Sequence, residues 1–175
     1  MIDENMLISR LAQGDKDALR EIYEIHAQKV YNMILNRFND RLLADDITQD
    51  VFLTVYDKSI TFRGDSKIST WIYRIAFNKC LDELKRRKKS KTYKDFYQTL
   101  EYEDGIKAPV DLTTILSAVD RLKQSQKDAF TLVYLDKISQ QEASEILNMN
   151  IKAFESLLYR ARISLQRILS KTKDF

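Results

Sequence analysis

One proline, three glycines and one cysteine in 175 residues leave this sequence short of the residues that punctuate or cross-link a backbone. The shortage of glycine and proline removes the turn chemistry that closes hairpins. No run of alternating apolar residues lies between turn signals, so strands are not expected. A lone cysteine, Cys80, excludes an internal disulfide framework and a cysteine-rich zinc site, and it suits a reducing compartment. The single histidine, His26, has no second metal ligand at the required spacing, and there is no glycine-rich phosphate loop. No apolar stretch approaches the roughly 20 residues that span a bilayer. Met1-Ile2-Asp3-Glu4-Asn5 opens with acids rather than a basic signal region. The expectation is a cytoplasmic chain that is not an enzyme, needs no cofactor or metal and does not insert into a membrane.

What is present favours helices. With 44% hydrophobic and 31% charged residues the chain can bury a core, as one ordinary domain or two small ones. The net charge of +3 is too mild to identify a polyanionic partner, so the placement of charge matters more than its sum. Apolar residues at helical spacing divide the first half into about four helices. The first carries Met6, Leu7, Ile8 and Leu11 and stops at Gly14. The second runs to about residue 37, with Ala18, Ile22, Ile25, Val30, Ile34 and Phe38 as its buried stripe. The third covers about 42–58 and buries Ile47, Val51 and Val55; the fourth starts near Lys67, buries Ile68, Ile72, Ile75, Cys80 and Leu84, and ends in the basic run Lys85-Arg86-Arg87-Lys88-Lys89. Periodicity fails from about Ser90 to Pro109, which reads as a flexible linker, and resumes at Leu112 in a small four-helix unit. The fold class is therefore all-α: a first domain over 1–90, a linker over 91–110 and a second domain over 111–175.

The second unit ends in a helix-turn-helix from about Gln140 to Arg162. Ala143 and Leu147 point inward, and Ser144 is small where a second helix crosses. Asn148 supplies the left-handed residue that the turn requires, and Asn150 can cap the next helix, whose buried stripe is Phe154, Leu158, Ala161 and Leu165. Lys152, Glu155, Ser156, Tyr159 and Arg160 then face outward on the part of the helix that enters a major groove. A bare αα-hairpin with a solvated polar face is the plainer alternative. Turn length, small residue, left-handed position and basic flank agree on the first reading. Arg160 and Arg162 lie deeper along the helix and suit phosphates better than bases.

Two further segments carry chemistry. Asp46, Gln49, Asp50 and Leu53 share a face of the third helix that is not its buried one. Carboxylates repel phosphate, so such a face in a DNA-binding chain suits a protein partner. The segment from Phe62 through Arg63, Ser66, Lys67, Thr70, Trp71, Tyr73 and Arg74 to Asn78 interleaves aromatic and basic residues. That combination holds single-stranded DNA by stacking and phosphate contact. Trp71 can equally pack in the core. His26 reads as a helix-surface or packing residue and Cys80 as a small core residue.

At these segments the sequence resembles the extracytoplasmic-function, or group IV, sigma factors of bacterial RNA polymerase. Residues 44–52, Ala-Asp-Asp-Ile-Thr-Gln-Asp-Val-Phe, look like the family's region 2.2, which contacts the clamp helices of the polymerase β′ subunit. Residues 62–76 resemble region 2.3, which with region 2.4 melts and captures the minus-10 promoter element. Residues 119–165 resemble region 4, which binds the minus-35 element and the β flap. The resemblance implies core polymerase and promoter DNA as partners. Many members are also held by an anti-sigma factor. It assigns Asp46, Gln49, Asp50 and Leu53 to polymerase and Phe62, Arg63, Ser66, Lys67, Thr70, Trp71, Tyr73, Arg74 and Asn78 to minus-10 DNA. Lys152, Glu155, Ser156, Tyr159 and Arg160 fall to minus-35 DNA.

Two departures stand out. Lys123 follows Leu122 where the family often has Leu-Pro, and Glu155 and Leu157 occupy recognition-helix positions that commonly carry basic residues. A stand-alone helix-turn-helix regulator is the alternative, but it has no use for the acidic face or the tryptophan segment. A purely helical adaptor would show no salt-dependent DNA binding.

Overall fold

The computed structural model describes residues 4–89 and 112–172, and among these residues every regular element is helical. The first unit holds α1 (Glu4–Ala12), α2 (Lys16–Phe38), α3 (Arg41–Lys58), a 3₁₀ turn at Ser59–Thr61 and α4 (Ile68–Lys89). The second holds α5 (Leu112–Asp120), α6 (Gln124–Phe130), a π-helical turn at Thr131–Leu135, α7 (Gln140–Ile146) and α8 (Ile151–Thr172). The expected linker lies outside the described residues.

Helix boundaries follow local chemistry. Asp15 caps α2 by accepting from the Asp17 and Ala18 amides at 2.9 and 3.4 Å, and Asn39, at φ 48°, ends it by donating its amide to the Leu35 carbonyl at 2.8 Å. Asp40 caps α3 on the Leu43 amide. Arg10 Nε also donates to Asp15 at 2.8 Å, which ties α1 to the start of α2 and holds that carboxyl below its ordinary range. The inward face of α2 runs Ala18, Ile22, His26, Val30, Ile34, Phe38, an unbroken step of four.

That step corrects one sequence expectation. Ile25 is 39% exposed, and the position one residue on, His26, is buried at 4%. The i+4 geometry decides which residue goes inside, and hydrophobicity at position 25 does not override it. His26 Nε2 lies 3.4 Å from Glu4 of α1, and the His26 ring meets Tyr73 edge-on. Burial pushes its pKa below the ordinary histidine value, with Glu4 pulling the other way. Cys80 is also buried as expected, and desolvation raises its thiol to about 12.

The two units are packed together. One contiguous cluster joins Ile22, Ile34, Ile72 and Phe77 of the first unit with Leu132, Ile138, Ile146 and Phe154 of the second. A separate small core of Ala118, Val119, Leu122 and Leu165 pins α5 to the end of α8. Polar contacts cross the same seam. Asp136, just after the π-helical turn, accepts from Asn36 Nδ2 and from Arg37 Nη1 of α2, both at 2.9 Å. The Arg37 and Asp136 side chains are only 7% and 1% exposed. Ion pairs buried this deeply are costly to break from one side, because the survivor keeps its desolvation penalty.

Candidate nucleic-acid interface

The α3 face appears as the spacing predicts. Asp46, Gln49 and Asp50 are exposed, and Leu53 is 61% exposed beside them. Leu42, 79% exposed one turn before Asp46, extends this face and was missed by the sequence reading. Its signal was helical register, since 42, 46, 49 and 53 step by four, three and four. Two exposed leucines flanked by carboxylates form a surface with apolar contact area and negative charge, which suits protein and opposes DNA. Lys79 Nζ lies 3.5 Å from Asp50, an exposed pair that contributes little by itself.

Along α4 the picture is mixed. Arg63 and Lys67 are exposed, Ser66 is half-buried, and Gly64 takes φ 76° in the loop before the helix. Phe62 and Trp71 stack on one another with ring centroids 5.1 Å apart and both are half-buried, so Trp71 has one side in the core and one toward solvent. Beside them lies an open cleft of about 470 Å³, walled by Ile8 and Ser9 of α1 and by Ile60, Phe62, Arg63 and Gly64. The contribution of α1 to this cleft has no counterpart in the sequence reading, because it depends on how α1 folds back over the 3₁₀ turn.

Thr70 and Tyr73 do not face solvent as expected. Tyr73 is 5% exposed, with the Lys29 ammonium over its ring at 5.0 Å. Thr70 is 1% exposed on the stripe shared by Lys67 and Arg74, and this stripe faces α7. Arg74, half-buried, donates from Nη2 to the Glu145 carbonyl at 2.6 Å, and Lys67 pairs with Glu142 at 3.3 Å. Only Asn78 stays exposed toward the end of that stripe. The basic run beyond it is also partly spoken for. Arg86 and Arg87 both bond Glu83, Lys85 pairs with Asp82, and Arg87 reaches Asp40.

The helix-turn-helix forms as the spacing predicts, with α7 and α8 flanking Asn148 at φ 54°. Asn150 Oδ1 accepts from the Ala153 amide at 2.8 Å, the cap that starts α8. Ser144 is buried at 1%, and Phe154, Leu158, Ala161 and Leu165 line the inner face. Lys152, Glu155, Ser156, Tyr159 and Arg160 all face outward. Glu155 has no ion pair among the described residues, so its carboxylate is available to a ligand. Leu157 corrects the outward placement implied by the family comparison: it is 8% exposed and belongs to the core, since it stands three residues after Phe154 on the inner face. The Arg162 guanidinium lies 6.0 Å from the Tyr159 ring centroid, which fixes both on the flank of α8.

Comparison with known proteins accounts for these surfaces together. The family model for sigma-70 region 2 matches residues 22–90, and that for sigma-70 region 4 matches residues 112–165. SigM of Bacillus subtilis, an extracytoplasmic-function RNA polymerase sigma factor, is 28% identical over 155 residues, covering 86% of this chain and 94% of its own. SigW of the same organism is 26% identical over 181 residues, covering 93% and 94%. The sigma-E factor of Escherichia coli is 26% identical over 175 residues, covering 92% and 91%. In fold, the chain resembles CnrH solved with the cytosolic domain of CnrY, at a TM-score of 0.71 and 21% identity over 96% of this chain and 97% of that one. It also resembles RpoE of Bartonella quintana solved with the anti-sigma factor NepR, at 0.66 and 20% over 86% and 96%. An exposed acidic face, an aromatic loop over a cleft and a capped helix-turn-helix thus sit in the two regions that define one family: the chain belongs to the sigma-70 family, among its extracytoplasmic-function sigma factors.

Proposed function

We propose that this chain binds core RNA polymerase through the α3 face and directs it to promoters by reading two DNA elements, one with each unit. The observation that carries this reading is the separation of chemistry between surfaces. Asp46, Gln49, Asp50 and Leu53 make a face that DNA would avoid, whereas Lys152, Ser156, Tyr159 and Arg160 make one that DNA would favour. Residues 1–90 would hold polymerase and engage the minus-10 element, and 111–175 would hold the minus-35 element. On the minus-10 side, the cleft beside Phe62 and Arg63 has the size and polarity to take a base swung out of the stack. Phe62 and Arg63 line that cleft and Trp71 stacks on Phe62, while Ser66, Lys67, Thr70, Tyr73, Arg74 and Asn78 lie further along the same segment and α4. Because Tyr73 is buried beside His26 and under Lys29 of α2, its share is to hold α4 against α2. The work is differential binding, with no covalent step. An anti-sigma factor of the kind solved with RpoE would act on the same two units.

Run-off transcription with core polymerase over genomic fragments tests the reading directly. Discrete transcripts that depend on added chain are expected; polymerase that neither retains the chain nor initiates with it would favour the stand-alone regulator. Within α8 the roles divide. Arg160→Ala should weaken promoter binding by a similar factor at every sequence and lower its salt dependence, as loss of one phosphate contact does. Glu155→Ala should instead change which bases are preferred, since a carboxylate accepting from a cytosine amino group is worth about 1–3 kcal/mol of discrimination. Parallel selection from a randomised minus-35 pool would reveal identical profiles if the division is wrong.

A further inference from the structure

The cleft beside Phe62 has two walls of different origin. One is the loop that carries Phe62, Arg63 and Gly64; the other is α1, which contributes Asn5, Ser9 and Ala12. The sigma-70 region 2 match begins at residue 22, so α1 lies outside the stretch by which the family is recognised. It is nevertheless a fixed wall. Leu7, Ile8 and Leu11 are buried on its inner side, Arg10 ties it to Asp15 and Glu21 at 2.8 and 3.0 Å, and Glu4 reaches His26 at 3.4 Å. Positions 5, 9 and 12 step by four and three, so they share one helix face, and that face is turned to the cleft. A helix anchored in this way holds polar groups in place more exactly than a loop does.

The chemistry of the two walls differs as well. The loop side offers an aromatic face, Phe62 stacked on Trp71, and the Arg63 cation. Such groups hold any base by stacking and any phosphate by charge, without reading sequence. The α1 side offers hydrogen-bonding groups. The Asn5 amide is both a donor and an acceptor. The Ser9 hydroxyl donates to the Asn5 carbonyl at 2.8 Å, so what it has left for the cleft is lone pairs, and it accepts. An acceptor beside an amide matches a base edge on which an exocyclic amino group stands next to a bare ring nitrogen, as on cytosine and adenine. Thymine has no amino group, and the ring nitrogen on the pairing edge of guanine carries a proton.

We propose that α1 is the base-selecting wall of the cleft: Asn5 and Ser9 read the pairing edge of one unstacked base, cytosine or adenine, while Phe62 and Arg63 hold it in place. The proposal rests on the reading of the cleft as the seat of a minus-10 base. It divides the labour of the site. Capture of the strand belongs to the loop, and the choice of base at one promoter position belongs to a helix that precedes the matched region.

The test uses the full chain assembled with core polymerase and a promoter pool randomised across the minus-10 element. The wild type should enrich cytosine or adenine at one position. Asn5→Ala should flatten that preference about tenfold, as loss of a paired base contact does, and leave the other positions unchanged. Ser9→Ala should flatten the same position to a smaller degree; alanine is the better helix former, so folding is not at stake. Met6→Ala, one residue along α1 and 63% exposed, is the control and should keep the wild-type profile. A promoter carrying the fluorescent base 2-aminopurine at the selected position reports capture separately, since its emission changes when the base leaves the stack. That change should persist in Asn5→Ala and shrink in Phe62→Ala. Capture that depends on Phe62, with base profiles indifferent to Asn5 and Ser9, overturns the role of α1 and leaves the cleft reading standing. An Asn5→Ala profile weakened evenly at every position overturns it too, by reducing α1 to a support. Enrichment of thymine or guanine at the position that Asn5 controls overturns the hydrogen-bond pairing. No change in emission with any of the chains removes the cleft reading itself, and the proposal with it.

Discussion

Phe154→Ala is expected to destabilise the second unit by about 3–5 kcal/mol, enough to unfold much of it near physiological temperature. Phe154 has no exposed surface and is the largest of the fully buried side chains. It stands on α8 one turn past the Asn150 cap, where α7 and α8 cross and where the second unit's core meets that of the first. Truncation removes most of a benzyl group from a site held by helices on several sides, so collapse around the hole is restricted. Thermal unfolding followed by circular dichroism should show part of the helix lost in an early step, and minus-35 binding should go with it. α3 is remote in sequence and capped independently by Asp40, so assembly with core polymerase should persist. A single cooperative transition shifted by less than about 1 kcal/mol would mean that the crossing is not the keystone of this unit.

Asp50→Arg should reduce assembly with core polymerase about a hundredfold or more while leaving thermal stability almost unchanged. The fold has little at stake, since Asp50 is exposed and its ion pair to Lys79 at 3.5 Å lies on the surface. Under the proposed function the interface has much at stake, because a like charge set against a basic patch on the partner costs several kcal/mol. Leu53→Ala should weaken assembly to a smaller degree through lost apolar contact. Co-purification with polymerase and competition against the wild-type chain measure both. Undiminished assembly of Asp50→Arg would move the polymerase contact off this face of α3.

The parts of the site that the sequence revealed are those set within one or two turns of helix. The Asn148 turn, the Asn150 cap and the four-three-four stripe of α8 are local, and each took the predicted form. The α3 face is likewise a matter of register on one helix. The α4 stripe failed where the answer lay in another part of the chain. Thr70 looks solvent-facing by its own helix and is covered by α7 from more than seventy positions away, while Tyr73 is claimed by α2. Ile25 and Leu157 depart from expectation for a related reason: at Ile25 helical angle outweighs residue type, and at position 157 the inner face that Phe154 defines outweighs the family pattern. The contact at Asp136 leaves no periodic signal, because its partners, Asn36 and Arg37, lie 100 and 99 positions away.

The depth of Cys80 has a practical corollary for the experimenter. The residue is 1% exposed and its thiol is pushed up to about 12, so at neutral pH there is almost no thiolate and no path to it. Thiol-directed dyes and spin labels should therefore pass over the native cysteine as long as the protein is folded. Any cysteine introduced on the surface can be labelled selectively in an otherwise wild-type background, with no need to empty position 80 and disturb the core around it.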